Sequence, residues 1–193
     1  MANPGMLCLA IGAATLVTAC AAARTTTPHS QPDRFVARNV ASNIRVGFPL
    51  QPCVATMLSR SPTFRQTYST IAGRHDVRVS IELVPNRAKP VRAVTEVRSF
   101  AGGQRVAAVR LYTTADVIEL IAHEMEHVRE QLEGTNLLLL SVARGSDVRR
   151  FGTKFETRRG VETGLRVAAE VGGTASRTCQ GSLHDAALIA YSF

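Results

Sequence analysis

The chain has 193 residues, 45% of them apolar and 20% charged, which fits one globular domain and excludes a long disordered, collagenous or multi-domain protein. Of its 23 basic residues 21 are Arg and only two are Lys, and against 15 acidic residues they leave a net charge of +8. That field favours acidic partners or anionic surfaces. The arginines are scattered through every segment, however, and with no Trp and 5% aromatics the chain lacks a base-stacking platform, so no nucleic-acid partner is expected.

Residues 6–19 form an uncharged apolar run that ends at Cys20 and three alanines. This is signal-peptide length and shorter than the about 20 apolar residues a membrane-spanning helix needs. Val17-Thr18-Ala19-Cys20 resembles the bacterial lipobox, in which the Cys is lipidated and becomes the mature N-terminus. The resemblance implies a membrane anchor on Cys20 and a place in the bacterial cell envelope, facing the periplasm from the outer membrane, or secretion if the segment is simply cleaved. Residues 20–33, polar and containing Pro28 and Pro32, read as a lipid-anchored or flexible tether, and residues 34–193 as the folded domain. With Cys8 removed and Cys20 acylated, Cys53 and Cys179 remain, an even pair suited to a disulfide in an oxidising compartment; two buried free thiols are the alternative.

A short helix is predicted after Pro52. Ser61-Pro62 reads as an N-cap followed by Pro at the first helical position, with Gly73 closing the helix. Val77, Val79, Ile81 and Leu83 alternate with polar residues, the period of a half-buried strand. The runs 91–100 and 105–112, separated by Ala101-Gly102-Gly103-Gln104, read as an antiparallel hairpin. A helix is predicted from about 115 to 133, capped by Thr114 and stopped by Gly134, and another over 153–171. The fold class expected is α+β.

The helix over 115–133 contains His123-Glu124-Met125-Glu126-His127. Histidines at i and i+4 share a helix face, so both imidazoles can reach one metal ion, and Glu124 stands beside them without being a ligand. With five His and ten Glu in the chain, roughly 0.007 chance occurrences of the pattern are expected. On a helical wheel Val117, Ile121, Val128 and Leu132 make the core stripe, Glu126, Arg129 and Glu133 a polar face, and His123, Glu124, His127 and Leu120 a cleft wall. Glu126 and Glu130 are placed either as partners of the histidines or as solvated charges.

The motif resembles that of the HExxH zinc metallopeptidases, the zincins. The resemblance implies a small zincin-like domain with an antiparallel or mixed sheet packed against the motif helix, and Zn²⁺ on His123 and His127. It also implies hydrolysis of peptide (amide) bonds by a zinc-bound water that Glu124 activates, and substrate laid along an edge strand, for which residues 105–112 sit in the expected place. The metzincin Gly and third His do not follow His127, and Gly134-Thr135-Asn136 does not match the aspartate group. The resemblance then implies a gluzincin-like third ligand, a glutamate from a second helix. Glu156, Glu162 and Glu170 are the candidates, with Asp147 as an outsider. Glu156 is preferred because Gly160 and Gly164 give its flank a small-residue groove where two helices can approach, and because Glu156-Thr157-Arg158-Arg159 resembles a Glu-Thr-x-Arg stretch of bacterial HExxH proteins. Tyr112, His184, Tyr191, Arg158 and Arg159 are available to stabilise an oxyanion. The competing expectation is a non-catalytic envelope lipoprotein of zincin-like shape that binds a partner or a structural metal. Neither oligomeric state nor substrate identity is legible in the residues.

Overall fold

The computed structural model describes residues 41–84, 90–175, 179, 181 and 183. The signal peptide, Cys20, the tether, His184 and Tyr191 lie outside the described residues. The order of elements is β1 (Ile44–Val46), α1 (Gln51–Arg60), α2 (Pro62–Ala72), β2 (Val77–Leu83), β3 (Ala93–Ser99), β4 (Arg105–Leu111), α3 (Val117–Leu132), α4 (Leu137–Val142), β5 (Val148–Phe151), β6 (Lys154–Thr157) and α5 (Arg158–Val171). Strands and helices thus form a mixed α+β arrangement.

The four-stranded sheet has the order β1-β2-β4-β3. β1 pairs parallel with β2 and β2 parallel with β4, while β3 and β4 form the antiparallel hairpin read from the sequence. Alternation along β2 and β4 sends Val77, Val79, Ile81, Ala107, Val109 and Leu111 to a buried face and leaves Arg78, Glu82 and Val106 exposed on the other. Leu50, Met57, Phe64, Ile71, Ile118, Ile121 and Met125 complete the core with that buried face. Because β4 is paired on both sides, it is not the edge strand expected for substrate. That edge is β3, which hydrogen-bonds to β4 alone. Chain order hides this, since β2 pairs with β4 across the hairpin.

Ser61 caps α2 as expected, its hydroxyl accepting from the Phe64 N–H at 2.9 Å, with Pro62 opening the helix. The motif helix α3 starts later than predicted. Thr114 does not cap it, and the residue at the cap is Asp116, whose backbone is left-handed (φ 53°) and whose side chain makes no cap bond. Its carboxylate pairs instead with Arg92 at 2.9 Å. Gly134 follows α3 with φ 82°, the conformation that ends helices at glycine.

The helix predicted over 153–171 begins only at Arg158. Residues 154–157 are strand β6, paired with β5 through a turn at Gly152 (φ 64°). The second glutamate-bearing element is therefore a strand that leads directly into α5. Cys53 on α1 and Cys179 sit at disulfide-bonding distance, with Cα atoms 5.2 Å apart. Among the described residues no helix is long and apolar enough to cross a membrane.

Candidate metal centre

One turn of α3 brings His123 Nε2 and His127 Nε2 to 3.0 Å from each other. The last residues of β6 carry Glu156 to the same point, its Oε1 lying 3.1 Å from His123 Nε2 and 3.6 Å from His127 Nε2. Among the described residues this is the group of His, Cys, Asp or Glu side chains whose ligand atoms converge enough to hold a metal ion. A tetrahedral ion with bonds of about 2.0–2.1 Å sets its ligand atoms about 3.3–3.4 Å apart. The three separations here bracket that value, and two imidazoles with one carboxylate suit a divalent transition metal, so the residues fit such an ion.

The other candidates for third ligand lie elsewhere. Glu162 is exposed and faces Arg158 at 3.6 Å. Glu170 serves the start of α2, accepting from the Ser61 hydroxyl and from the Thr63 hydroxyl at 2.6 Å. Asp147 pairs with Arg158 at 2.7 Å. Of the groups considered for an oxyanion, Arg158 is held by Asp147, and Arg159 points away into a different set of partners described below. Tyr112 does not line the cleft around the histidines.

α5 can press against α3 because it presents glycine where the two meet. A Cβ on Gly160 would stand 3.0 Å from His127 Cε1, and one on Gly164 would stand 2.9 Å from the Glu119 carbonyl oxygen and 3.2 Å from His123 Cβ. The small-residue groove predicted beside Glu156 is thus where the histidine backs are covered.

Polar side chains fix the ligands in turn. His127 Nδ1–H donates to Glu130 Oε2 at 3.0 Å, which turns Nε2 toward Glu156. The same Glu130 oxygen accepts from the Thr157 hydroxyl at 3.1 Å. Thr157 Oγ1 also accepts from the Gly160 N–H at 2.9 Å and so caps α5, while its own N–H donates to Glu156 Oε1 at 3.0 Å. One residue therefore starts the helix, orients the neighbouring glutamate and supports the partner of a histidine. Glu130 is a buried partner of His127 rather than a solvated charge. In the sequence Thr157 appears only as part of the Glu-Thr-x-Arg stretch, with no role of its own, although a Thr before a helix was the available signal for one.

Glu126 takes neither expected role. It is 1% exposed, bonded to the Thr67 hydroxyl at 2.9 Å and ion-paired through Oε1 with Arg159 Nε. Arg159 also forks onto Glu133 at 2.7 and 3.1 Å. The wheel put Glu126 on an open polar face; α2 and α5 close over that face.

Glu124 is 6% exposed and lines the cleft with both histidines. Its Oε2 accepts from the hydroxyl of Thr95, on edge strand β3, at 2.7 Å. Burial pushes the Glu124 carboxyl above the ordinary glutamate value, with the Thr95 bond and the nearby histidines pulling the other way. Burial works against charge on His127 too, but the hydrogen bonds to Glu130 and Glu156 outweigh it and push the imidazole up to about 9. For Glu156 burial is likewise outweighed, here by His123 and His127, which hold the carboxyl at about 2. The cleft has a volume of about 880 Å³, with β3 on one side and α4 and the β5–β6 hairpin on the other.

Comparison with family models, with curated proteins and with solved structures returned no match.

Proposed function

We propose that this protein is a zinc-dependent hydrolase of peptide (amide) bonds with a zincin-like, gluzincin-type site, working in the bacterial cell envelope behind a lipid anchor on Cys20. The observation that carries the reading is the convergence of His123, His127 and Glu156 in an open cleft with the buried carboxylate of Glu124 beside them. Zn²⁺ held by these three side chains would supply Lewis acidity, polarising a carbonyl and making water acidic near neutral pH. Glu124 then acts as the proton carrier. Its Oε2 is engaged by Thr95, so Oε1 accepts the proton of the attacking water and later delivers it to the leaving amine. A raised carboxyl value suits that double duty, because a group that stays a strong acid takes up no proton near neutral pH. Glu130 and Thr157 hold His127 and Glu156 in register, and the open edge of β3 offers backbone N–H and C=O groups to an extended peptide.

The test is metal content and peptidase activity of the full chain, wild type against Glu124→Gln, His123→Ala and Glu156→Ala. One zinc per chain is expected in wild type and in Glu124→Gln, with loss of metal in the other two. Hydrolysis is expected in wild type alone. A fully active Glu124→Gln protein would remove the proposed proton carrier, and a metal-bearing but inactive wild type would favour a structural metal in a partner-binding lipoprotein.

A further inference from the structure

The β5–β6 hairpin that carries Glu156 also carries, on the same face, two cations with no ion-pair partner among the described residues. In the β5–β6 hairpin Arg149 lies directly across from Glu156, and Phe151 directly across from Lys154. Directly opposed residues share a face of an antiparallel pair, and so do residues two apart on one strand. Arg149, Phe151, Lys154 and Glu156 therefore stand on one face, and Phe151, Lys154 and Glu156 line the cleft. Both cationic side chains are exposed. Among the described residues neither makes an ion pair or a side-chain hydrogen bond, whereas Arg74, Arg92, Arg129, Arg158 and Arg159 each close on a carboxylate. Lys154 is one of only two lysines in a chain with 21 arginines, and the other lies outside the described residues.

Resting on the hydrolase reading above, we propose that this face selects the substrate: Lys154, assisted by Arg149, receives a carboxylate of the bound peptide. Two strand residues span about 6.6 Å, so Lys154 stands on its strand at the distance of about two residues of an extended peptide from Glu156. The substrate class is a peptide with a carboxylate within about two residues of the scissile bond. The Phe151 ring, on the same face as Lys154, adds an apolar surface beside it. The carboxylate can be an acidic side chain or a free C-terminus, and the two are separable by experiment.

The experiment measures binding, so that it does not depend on turnover. The full-length Glu124→Gln protein, supplied with zinc, is titrated with fluorescent peptides of one backbone sequence. These carry Glu or Gln flanking the central bond and end in a free acid or an amide. Lys154→Glu is compared with Arg78→Glu, which makes the same change in net charge on the exposed face of the four-stranded sheet, outside the β5–β6 hairpin. The expected result is at least tenfold tighter binding of a carboxylate peptide than of its neutral twin, lost in Lys154→Glu, weakened in Arg149→Ala and kept in Arg78→Glu. Preference for the Glu peptides assigns the carboxylate to a side chain, and preference for the free acid assigns it to the C-terminus. Equal binding of charged and neutral peptides, or equal losses in Lys154→Glu and Arg78→Glu, overturns the inference. Active wild-type protein that cleaves neutral peptides equally well would sink only the selection, while Lys154-dependent binding without any hydrolysis would sink only the hydrolase reading.

Discussion

At the residue scale, the closest constraint on the metal centre is Gly160. Alanine there would gain up to about 1 kcal/mol of helix propensity, yet its Cβ would meet His127 Cε1 at 3.0 Å and Thr157 Oγ1 at 3.2 Å. Both are parts of the machinery that aims His127 Nε2 at Glu156, so Gly160→Ala should weaken zinc affinity about tenfold or more, the usual scale for disturbing a ligand's supports. Thermal stability should change little. Competition with a chromophoric chelator reads the affinity, and an unchanged value would mean that His127 has room to move. Thr157→Val is the companion test. It is nearly isosteric but removes the hydroxyl that Glu130 and the Gly160 N–H share, and it should cost both metal affinity, by about 10–100-fold, and about 1 kcal/mol of helix capping.

At the scale of elements, the clamp of Arg159 on α3 holds the strand that delivers Glu156. Glu126 is almost wholly buried and pairs with Arg159 through Oε1 and, at 3.4 Å, with Arg129 through Oε2; breaking a buried pair outright typically costs about 3–5 kcal/mol, and removing Arg159 leaves the charge with the longer pair alone. Arg159→Ala should therefore lower stability by part of that amount, about 1–3 kcal/mol, in urea denaturation. Adding Glu126→Gln should return part of that loss, because a neutral amide needs no counter-ion; a second change that makes matters worse would show that Thr67 and Arg129 satisfy Glu126 without Arg159. Glu133, the other end of the clamp, adds a pH dependence. Hydrogen bonds from Arg159 and then Arg129 outweigh a small desolvation and hold its carboxyl at about 2, below its ordinary 4.5. A depressed acid contributes stability above its unfolded value and loses it as pH falls through the folded one. The Tm gap between wild type and Glu133→Gln should be constant above 4.5 and close toward pH 2. Because Glu133 is 41% exposed, the gap should be modest and smaller in salt. A gap that persists at the acid end would assign the effect to packing.

The same elements show what was legible in the residues. Ser61-Pro62 carries its cap and helix start in two positions, β2 follows from alternation, the β3–β4 hairpin from two runs around Ala101-Gly102-Gly103-Gln104, and the end of α3 from Gly134, because each of these signals is local. The β5–β6 hairpin was missed since Val148–Phe151 and Lys154–Thr157 are four residues each, charged and largely exposed, with no apolar alternation to betray a strand. Gly152 was the one turn signal. Glu156 was preferred on the glycines that follow it, and what brings it beside the histidines is a strand end and not a helix face. Burial of Glu126 was invisible because its partners, Thr67 and Arg159, lie on α2 and α5, and the interior position of β4 was invisible because strand neighbours are not chain neighbours.

For the whole molecule, the two ends of α5 are tied down by different chemistry. At its start Thr157 and Arg159 fasten it to α3, while beyond its C-terminus Cys179 lies at bonding distance from Cys53 on α1, 126 residues earlier in the chain. A crosslink closing so long a loop restricts the unfolded chain by about 4.7 kcal/mol in the entropy model. A zinc ion bound at the proposed site would act through the folded state, adding RT ln(1 + [L]/Kd) because the unfolded chain does not hold His123, His127 and Glu156 together. The two contributions touch opposite ends of one helix and share no side chain, so they should add. In a cycle of wild type and Cys53→Ser/Cys179→Ser, each with and without zinc, the Tm increment from zinc should be nearly the same in both proteins once their different midpoints are allowed for. Zinc stoichiometry should stay at one per chain below the unfolding temperature. If the serine variant binds no zinc while still folded, the far end of α5 controls where Glu156 stands, and the clamp of Arg159 on Glu126 and Glu133 is not sufficient to hold the site.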